Sequence, residues 1–231
     1  MIQKNFKPIN VLVLGGWVLA AVVSIRPMLW RPIPGSQLYS ADRISQFSVL
    51  GEVKPGGIVL LGDSHIDRGE WSELLEVCNV YNRGIGGNTV GGVLDRLSEA
   101  IYGKPAVAIL MVGFNDLAKG LDPTSIADNY EALVTDIPKV AKDSLIVINA
   151  VFPVNSSIYR GDVNNQKIAL LNSKLKELAA RHSAIFLNIT PQLVDEDGNL
   201  SANYTNDGIH LNGSGYIQWA HAIKDLLKQK E

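Results

Sequence analysis

Five short strand-like runs that alternate with helical patterns restrict this chain more than anything else in it. The runs fall at 58–61, 79–82, 106–112, 145–150 and 184–187. The helical stretches lie at 71–77, 90–101, 125–141, 165–182 and 214–230. Continuous apolar strands are buried on both faces, and strand–helix alternation joins them through right-handed crossovers into a parallel sheet. The expected fold class is α/β, a three-layer α/β/α sandwich on a five-stranded parallel sheet. At 231 residues, 46% of them hydrophobic, the chain can bury one such core with something left over.

The remainder lies at the start. Residues 9–25 carry no charge and are mostly Val, Leu, Ala and Gly, with Lys4 and Lys7 before them and Arg26 and Arg31 after. Seventeen residues are at the short end of what crosses a bilayer, where about 20 are usual. Residues 1–30 are therefore expected to be an N-terminal tip and hydrophobic membrane anchor, with Trp30 in the headgroup region and the rest exported. The alternative is a signal peptide cleaved after small residues, which would release a secreted protein. Residues 31–57, holding Pro32, Pro34 and Pro55, read as a linker or stalk, and 58–231 as the α/β domain.

All strands of a parallel sheet point the same way, so the loops leaving their carboxyl ends gather at one edge. After the first run come Asp63 and Ser64, and after the second the turn running from Asn82 through Gly86, Gly87 and Asn88 to Thr89. The third leads into Gly113, Phe114, Asn115 and Asp116, and Asp207-Gly208-Ile209-His210 precedes the last helix. Ser64 is a weak nucleophile unless a base takes its proton, and His210 is the best base available. Asp207, three residues earlier, projects to the same side and can fix the imidazole tautomer. A developing oxyanion would find the Ser64 N–H, a glycine-turn N–H (Gly87 first, Gly86 second) and the Asn115 amide.

These four blocks, in this order and spacing, resemble the SGNH (GDSL-type) esterase/lipase family over about 58–228. By that resemblance Ser64 is the nucleophile, Gly87 and Asn115 complete the oxyanion hole, His210 is the base and Asp207 orients it. The sheet should then have a flavodoxin-like order, and no cofactor or metal is implied. The glycine turn is most similar to the platelet-activating-factor acetylhydrolase-like and carbohydrate acetylesterase branch. That similarity implies short acyl esters, acetyl first, of a sugar or lipid alcohol. One departure stands out: the family usually has an aliphatic residue after the serine, and here it is His65.

Other residues read as structural. Asp63 and Asp116 are expected to be hydrogen-bonding residues under their turns. Cys78, the only cysteine, is expected in the core, and His182 at a helix end. His221 has no acidic neighbour at zinc-ligand spacing. Gly86, Asn88, Phe152 and Tyr204 are candidate substrate contacts; Trp71 and Tyr204 are also candidate packing residues. The loop 152–162 should frame the site. A net charge of −2 with no basic run argues against nucleic acid as partner. The expected partners are an ester substrate and, through the first segment, a membrane. Rival functions are a membrane-tethered O-acyltransferase acting on envelope glycans, a lysophospholipase or thioesterase, and a non-catalytic glycan- or lipid-binding module.

Overall fold

The computed structural model describes residues 35–229. Five parallel strands form one sheet: β1 (Ile58–Gly62), β2 (Val80–Gly84), β3 (Val107–Met111), β4 (Leu145–Asn149) and β5 (Ile185–Leu187). Their spatial order is β2-β1-β3-β4-β5, the flavodoxin-like arrangement. The central strands β1 and β3 are buried along their whole length, whereas the edge strand β5 is half-buried throughout. That gradient follows from position in the sheet: β5 is as apolar as the central strands, but at the edge it has a neighbour on one side only.

Successive residues of each strand feed opposite cores. From β1, Val59 and Leu61 face one cluster while Ile58 and Leu60 face the other. Helices α7 (Pro123–Val140) and α8 (Asn165–Arg181) cover the first face with Ile126, Tyr130, Leu133 and Ile137, and with Ile168, Leu171, Leu175 and Leu178. These sets recur every three or four residues, the spacing of one helical face. Helix α10 (Gly213–Lys228) covers the opposite face through Tyr216, Trp219, Ala220 and Ile223. Asp122, Asn164 and Asn212 cap the three long helices with their side chains.

Short helices sit after the strands and aim the polar clusters: α2 (Ser64–Asp67), α3 (Trp71–Leu75), α4 (Val90–Leu94), α5 (Leu97–Ile101), α6 (Phe114–Ala118) and α9 (Thr190–Leu193). The 90–101 pattern, expected as a single helix, is broken into α4 and α5 at Arg96. There the backbone leaves helical geometry (φ −116°, ψ 14°) and the side chain turns inward. Cys78, expected in the core, is exposed. Helix α3 ends in a left-handed residue, Glu76 (φ 57°), which sends the chain outward before β2.

The expected linker contains a sixteen-residue helix, α1 (Gly35–Leu50). Phe47 on it is 1% exposed, and the guanidinium carbons of Arg43, Arg83 and Arg96 lie 4.9, 4.9 and 5.7 Å from its ring centre. Part of the expected stalk thus belongs to the folded unit, held by cation–π contacts that no apolar stripe announces. The anchor or signal expected in 1–30 lies outside the described residues. Among the described residues no helix is long and apolar enough to cross a membrane.

Candidate active site

β1 ends at Gly62, where any side chain would run into the Met111 carbonyl of β3. The chain then turns through Asp63, whose carboxylate caps α2 by accepting the His65 N–H at 3.0 Å. Ser64 is the first residue of that helix and is half-buried at the strand's carboxyl end.

His210 comes to Ser64 from the other end of the domain. Thr205 and Leu211 form an antiparallel bridge that closes a hairpin-like loop, and Gly208 at its tip has φ +83°. A side chain there would be strained, and its Cβ would lie 2.7 Å from the Tyr159 nitrogen. The Asn155 N–H donates to the Gly208 carbonyl at 2.9 Å, tying this loop to the segment after β4. Ser64 Oγ then lies 2.8 Å from His210 Nε2, and His210 Nδ1 lies 2.6 Å from Asp207 Oδ2. The other Asp207 oxygen accepts the Ile209 and His210 backbone N–H groups at 2.9 and 2.8 Å. The carboxylate is thereby locked, and its partner ring must donate from Nδ1, leaving Nε2 as the free base.

The electrostatics suit that assignment. Burial pushes Asp207 upward, but hydrogen bonds from the His210 ring and from the two backbone N–H groups outweigh it and hold the carboxyl well below its usual range. Burial, and after it the nearby His65 ring, lower His210 below the ordinary imidazole value against the pull of Asp207. A neutral imidazole 2.8 Å from a serine hydroxyl can accept its proton.

The two N–H groups of the glycine turn differ in what they are bound to. The Gly86 N–H donates to Asp67 Oδ2 at 3.1 Å, so it is already committed. Among the described residues none takes the Gly87 N–H, and Gly87 has φ +79° with open space beside its α-carbon. Asn115 Nδ2 donates one hydrogen to the Asn88 carbonyl at 2.9 Å, while Asp63 Oδ2 stands 3.5 Å away. Its second hydrogen, held only by that long contact to Asp63, is the one an incoming oxyanion could draw away. The Ser64 N–H, Gly87 N–H and Asn115 amide are thus the donors at hand.

The remaining candidates separate clearly. Gly86 lies beside the nucleophile, its virtual Cβ 3.9 Å from Ser64 Cβ. Asn88 is occupied in holding the turn, its side-chain oxygen accepting from Arg96 Nε at 2.7 Å. Phe152, expected to contact substrate, is instead 2% exposed and packs edge-on against His65 and Trp219, because the chain leaving β4 turns into the core before it reaches the surface. Tyr204 is partly buried against the same core cluster that holds Trp71. Asp63 and Asp116 are hydrogen-bonding residues, Asp116 accepting the Val90 N–H at 3.1 Å. His182 caps α8 and pairs with Glu131 of α7 at 2.8 Å.

Sequence reasoning missed Tyr39. Its ring edge lies 3.7 Å from the virtual Gly86 Cβ, and its hydroxyl donates to Asp67 at 2.5 Å. The only signal was an aromatic residue in a stretch with no strand or helix periodicity.

Comparison with known proteins places this geometry in a family. Residues 60–217 match the model of the GDSL-like lipase/acylhydrolase family. Platelet-activating factor acetylhydrolase IB subunit alpha2 of Rattus norvegicus is 30% identical over 186 residues, 76% of this chain and 78% of that one. A solved structure from Streptococcus pneumonia, named for platelet activating factor, superposes with a TM-score of 0.77 at 26% identity, covering 90% of this chain and 99% of its own. A solved structure from Bacteroides fragilis, named for an acylhydrolase, shares the fold at a TM-score of 0.70 and 21% identity, covering 87% of this chain and 99% of its own. With more than half of its length matched by one family model and its sheet shared with those neighbours, the chain belongs to the GDSL-like lipase/acylhydrolase family and is a hydrolase acting on esters.

Proposed function

We propose that the protein is a serine esterase that works through an acyl-enzyme and prefers short acyl groups, acetyl first, on a lipid or sugar alcohol. The observation that carries this reading is the unbroken line from Ser64 Oγ through His210 to Asp207, at 2.8 and 2.6 Å. His210 takes the Ser64 proton as Oγ attacks the ester carbonyl, and the resulting oxyanion is held by the Ser64 and Gly87 N–H groups and the Asn115 amide. His210 then protonates the leaving alcohol. Water, deprotonated by the same imidazole, attacks the acyl-enzyme and regenerates Ser64. Each oxyanion donor is worth about a hundred- to a thousand-fold in rate.

Support for a short acyl group comes from the curated relative, which is named an acetylhydrolase. Tyr39 stands over Gly86 beside the nucleophile, where a bulky ring would leave less room for a long acyl chain. The apolar segment 9–25 supports a membrane-tethered, exported enzyme, which carbonate extraction of membranes from expressing cells would check.

A series of p-nitrophenyl esters from acetate to palmitate tests the substrate reading. Highest kcat/KM on acetate, abolished by Ser64→Ala, is expected. A preference for chains of eight carbons or more would overturn the acetyl assignment, and acyl transfer to an added sugar in excess of hydrolysis would make the enzyme a transferase.

A further inference from the structure

One buried polar side chain beside the site takes no part in the bond-making steps. His65, 2% exposed, directs Nε2 at the Ile209 carbonyl oxygen, 3.1 Å away, and Nδ1 at Asp63 Oδ1, 3.2 Å away. A carbonyl has no proton to give, so Nε2 carries a hydrogen. Asp63 already accepts the His65 backbone N–H through Oδ1 and faces the Asn115 amide through Oδ2, so it too is placed as an acceptor. The ring is thus held at both nitrogens, at Nε2 by the Ile209 carbonyl and at Nδ1 by Asp63.

The position of that ring gives the bonds a consequence. Ile209 is joined by one peptide to His210, so His65 grips the backbone that carries the base. Its own carbonyl accepts the Tyr216 hydroxyl of α10 at 2.6 Å, and Phe114 and Phe152 approach its ring edge-on at 6.3 and 5.7 Å. The His210 ring lies 5.2 Å away, tilted by 37°. The polar and charged groups facing His210 are Ser64 and His65 from the nucleophile turn, Asp207 from its own loop, and Arg68, which stands 3.8 Å from Asp207. Those facing His65 are Asp63, with Asn115 behind it, Tyr216 and His210.

We propose that His65 is a positioning residue of this esterase: it bonds the Ile209 carbonyl to fix the peptide bearing His210, and it holds a second proton-bearing ring against that base. The proposal rests on the reading of Ser64, His210 and Asp207 as the reacting groups. Its first consequence is geometric. Ser64 and His210 are 146 positions apart in sequence, and the His65–Ile209 bond crosses the same gap immediately beside their contact. An aliphatic side chain at 65 would leave that carbonyl without its donor and the His210 backbone free to drift. The second is electrostatic. A donor ring facing His210 disfavours protonation of its imidazole, so the base remains free in more acidic solution than it would beside an aliphatic neighbour.

The test is the rate at which a fluorophosphonate labels Ser64 in the full chain, monitored from mildly acidic to mildly alkaline pH. Labelling needs only the nucleophile and its base, so it reports on them whatever ester is hydrolysed. His65→Leu should slow labelling by roughly ten- to a hundred-fold on the alkaline plateau, the scale of a small misplacement. His65→Gln keeps an N–H donor for Ile209 and should restore most of that rate. Both variants should move the midpoint of the acid limb to higher pH.

Full activity with an unmoved midpoint in His65→Leu would overturn the proposal. So would an equal slowing of both variants at every pH, which is what mere space-filling predicts. If His65→Leu does not fold, as judged by circular dichroism, His65→Gln decides alone: a midpoint identical to the parent overturns the proposal, and a raised one supports it. Normal labelling without turnover of p-nitrophenyl acetate would refute the acetylesterase reading and leave this one standing, whereas an unlabelled parent would refute both.

Discussion

Tyr39 donates its hydroxyl hydrogen to Asp67 across 2.5 Å, and the same Asp67 oxygen accepts the N–H of Gly86 at 3.1 Å. A helix that precedes the family-matched region is thereby joined to the turn that flanks the nucleophile. The ring, 41% exposed, stands at the rim of the site rather than in the core.

Removing that ring should widen the site. In Tyr39→Ala the ratio of kcat/KM on p-nitrophenyl octanoate to that on acetate is expected to rise, whereas Tyr39→Phe should leave the ratio unchanged. Tyr39→Phe loses only a partly exposed hydrogen bond, worth about 1 kcal/mol or less. An unchanged ratio in Tyr39→Ala would show that the ring does not meet the acyl chain.

The acid limb of the reaction belongs to His210. Only the neutral imidazole can accept the Ser64 proton, so activity rises with pH through the His210 value. Burial, then the His65 ring, depress that value below the ordinary 6.5. Asp207 is held low enough to stay ionised throughout and does not shape the limb. A profile of kcat/KM against pH should therefore show a limb centred below 6.5, and a midpoint at or above that value would contradict this arrangement.

Much of this was legible in the sequence because the relevant signals are local. Strands β1 and β3 are apolar at consecutive positions, and only a strand buried on both faces requires that. Ser64, Asn115 and His210 were readable because each lies just after a strand or just before a long helix, where topology brings them together. The features that were not legible depend on partners distant in the chain. Helix α1 has one fully buried apolar side chain, Phe47, and its neighbours are arginines 36 and 49 positions further on (83 − 47 and 96 − 47). Gly87 ranks ahead of Gly86 as a donor in the sequence, but the physical reason, the claim of Asp67 on the Gly86 N–H, needs the structure. Phe152 reads as a loop aromatic until its burial is known.

Asp116 is an acceptor that burial makes costly. Desolvation raises its carboxyl from 3.8 to about 6, against the Val90 hydrogen bond that lowers it. The folded value lies above the unfolded one, so the stability it contributes is complete below 3.8 and is lost as pH rises through about 6. The displacement corresponds to at most about 3 kcal/mol at neutral pH. Asp116→Asn keeps an oxygen for the Val90 N–H and removes the charge. Its urea midpoint should exceed that of the parent in mildly alkaline solution, and the difference should shrink toward acid. An equal loss of stability at every pH would mean that the second oxygen, rather than the charge, is what the fold requires.

Phe47 is where α1 would come loose. Its ring lies within 6 Å of three guanidinium carbons, at 4.9, 4.9 and 5.7 Å, and one carboxylate, Asp67, stands 3.6 Å from Arg43. Burial lowers Arg96 to about 10, so it stays charged at neutral pH, and its Nη1 has no hydrogen-bond partner among the described residues. The phenyl face therefore compensates two cations almost wholly removed from water, Arg83 and Arg96, as well as the half-buried Arg43. Phe47→Ala removes both the packing and that compensation and should cost about 3–5 kcal/mol. Because α1 also presents Tyr39 to Asp67, the loss should extend to the site. Limited proteolysis should cut within 35–50 in the variant and not in the parent, and the acyl-chain selectivity of the variant should approach that of Tyr39→Ala. Phe47→Leu, which refills the space without the aromatic face, separates the two contributions. If leucine restores protease resistance completely, packing alone holds the helix, and the three arginines are merely tolerated around it.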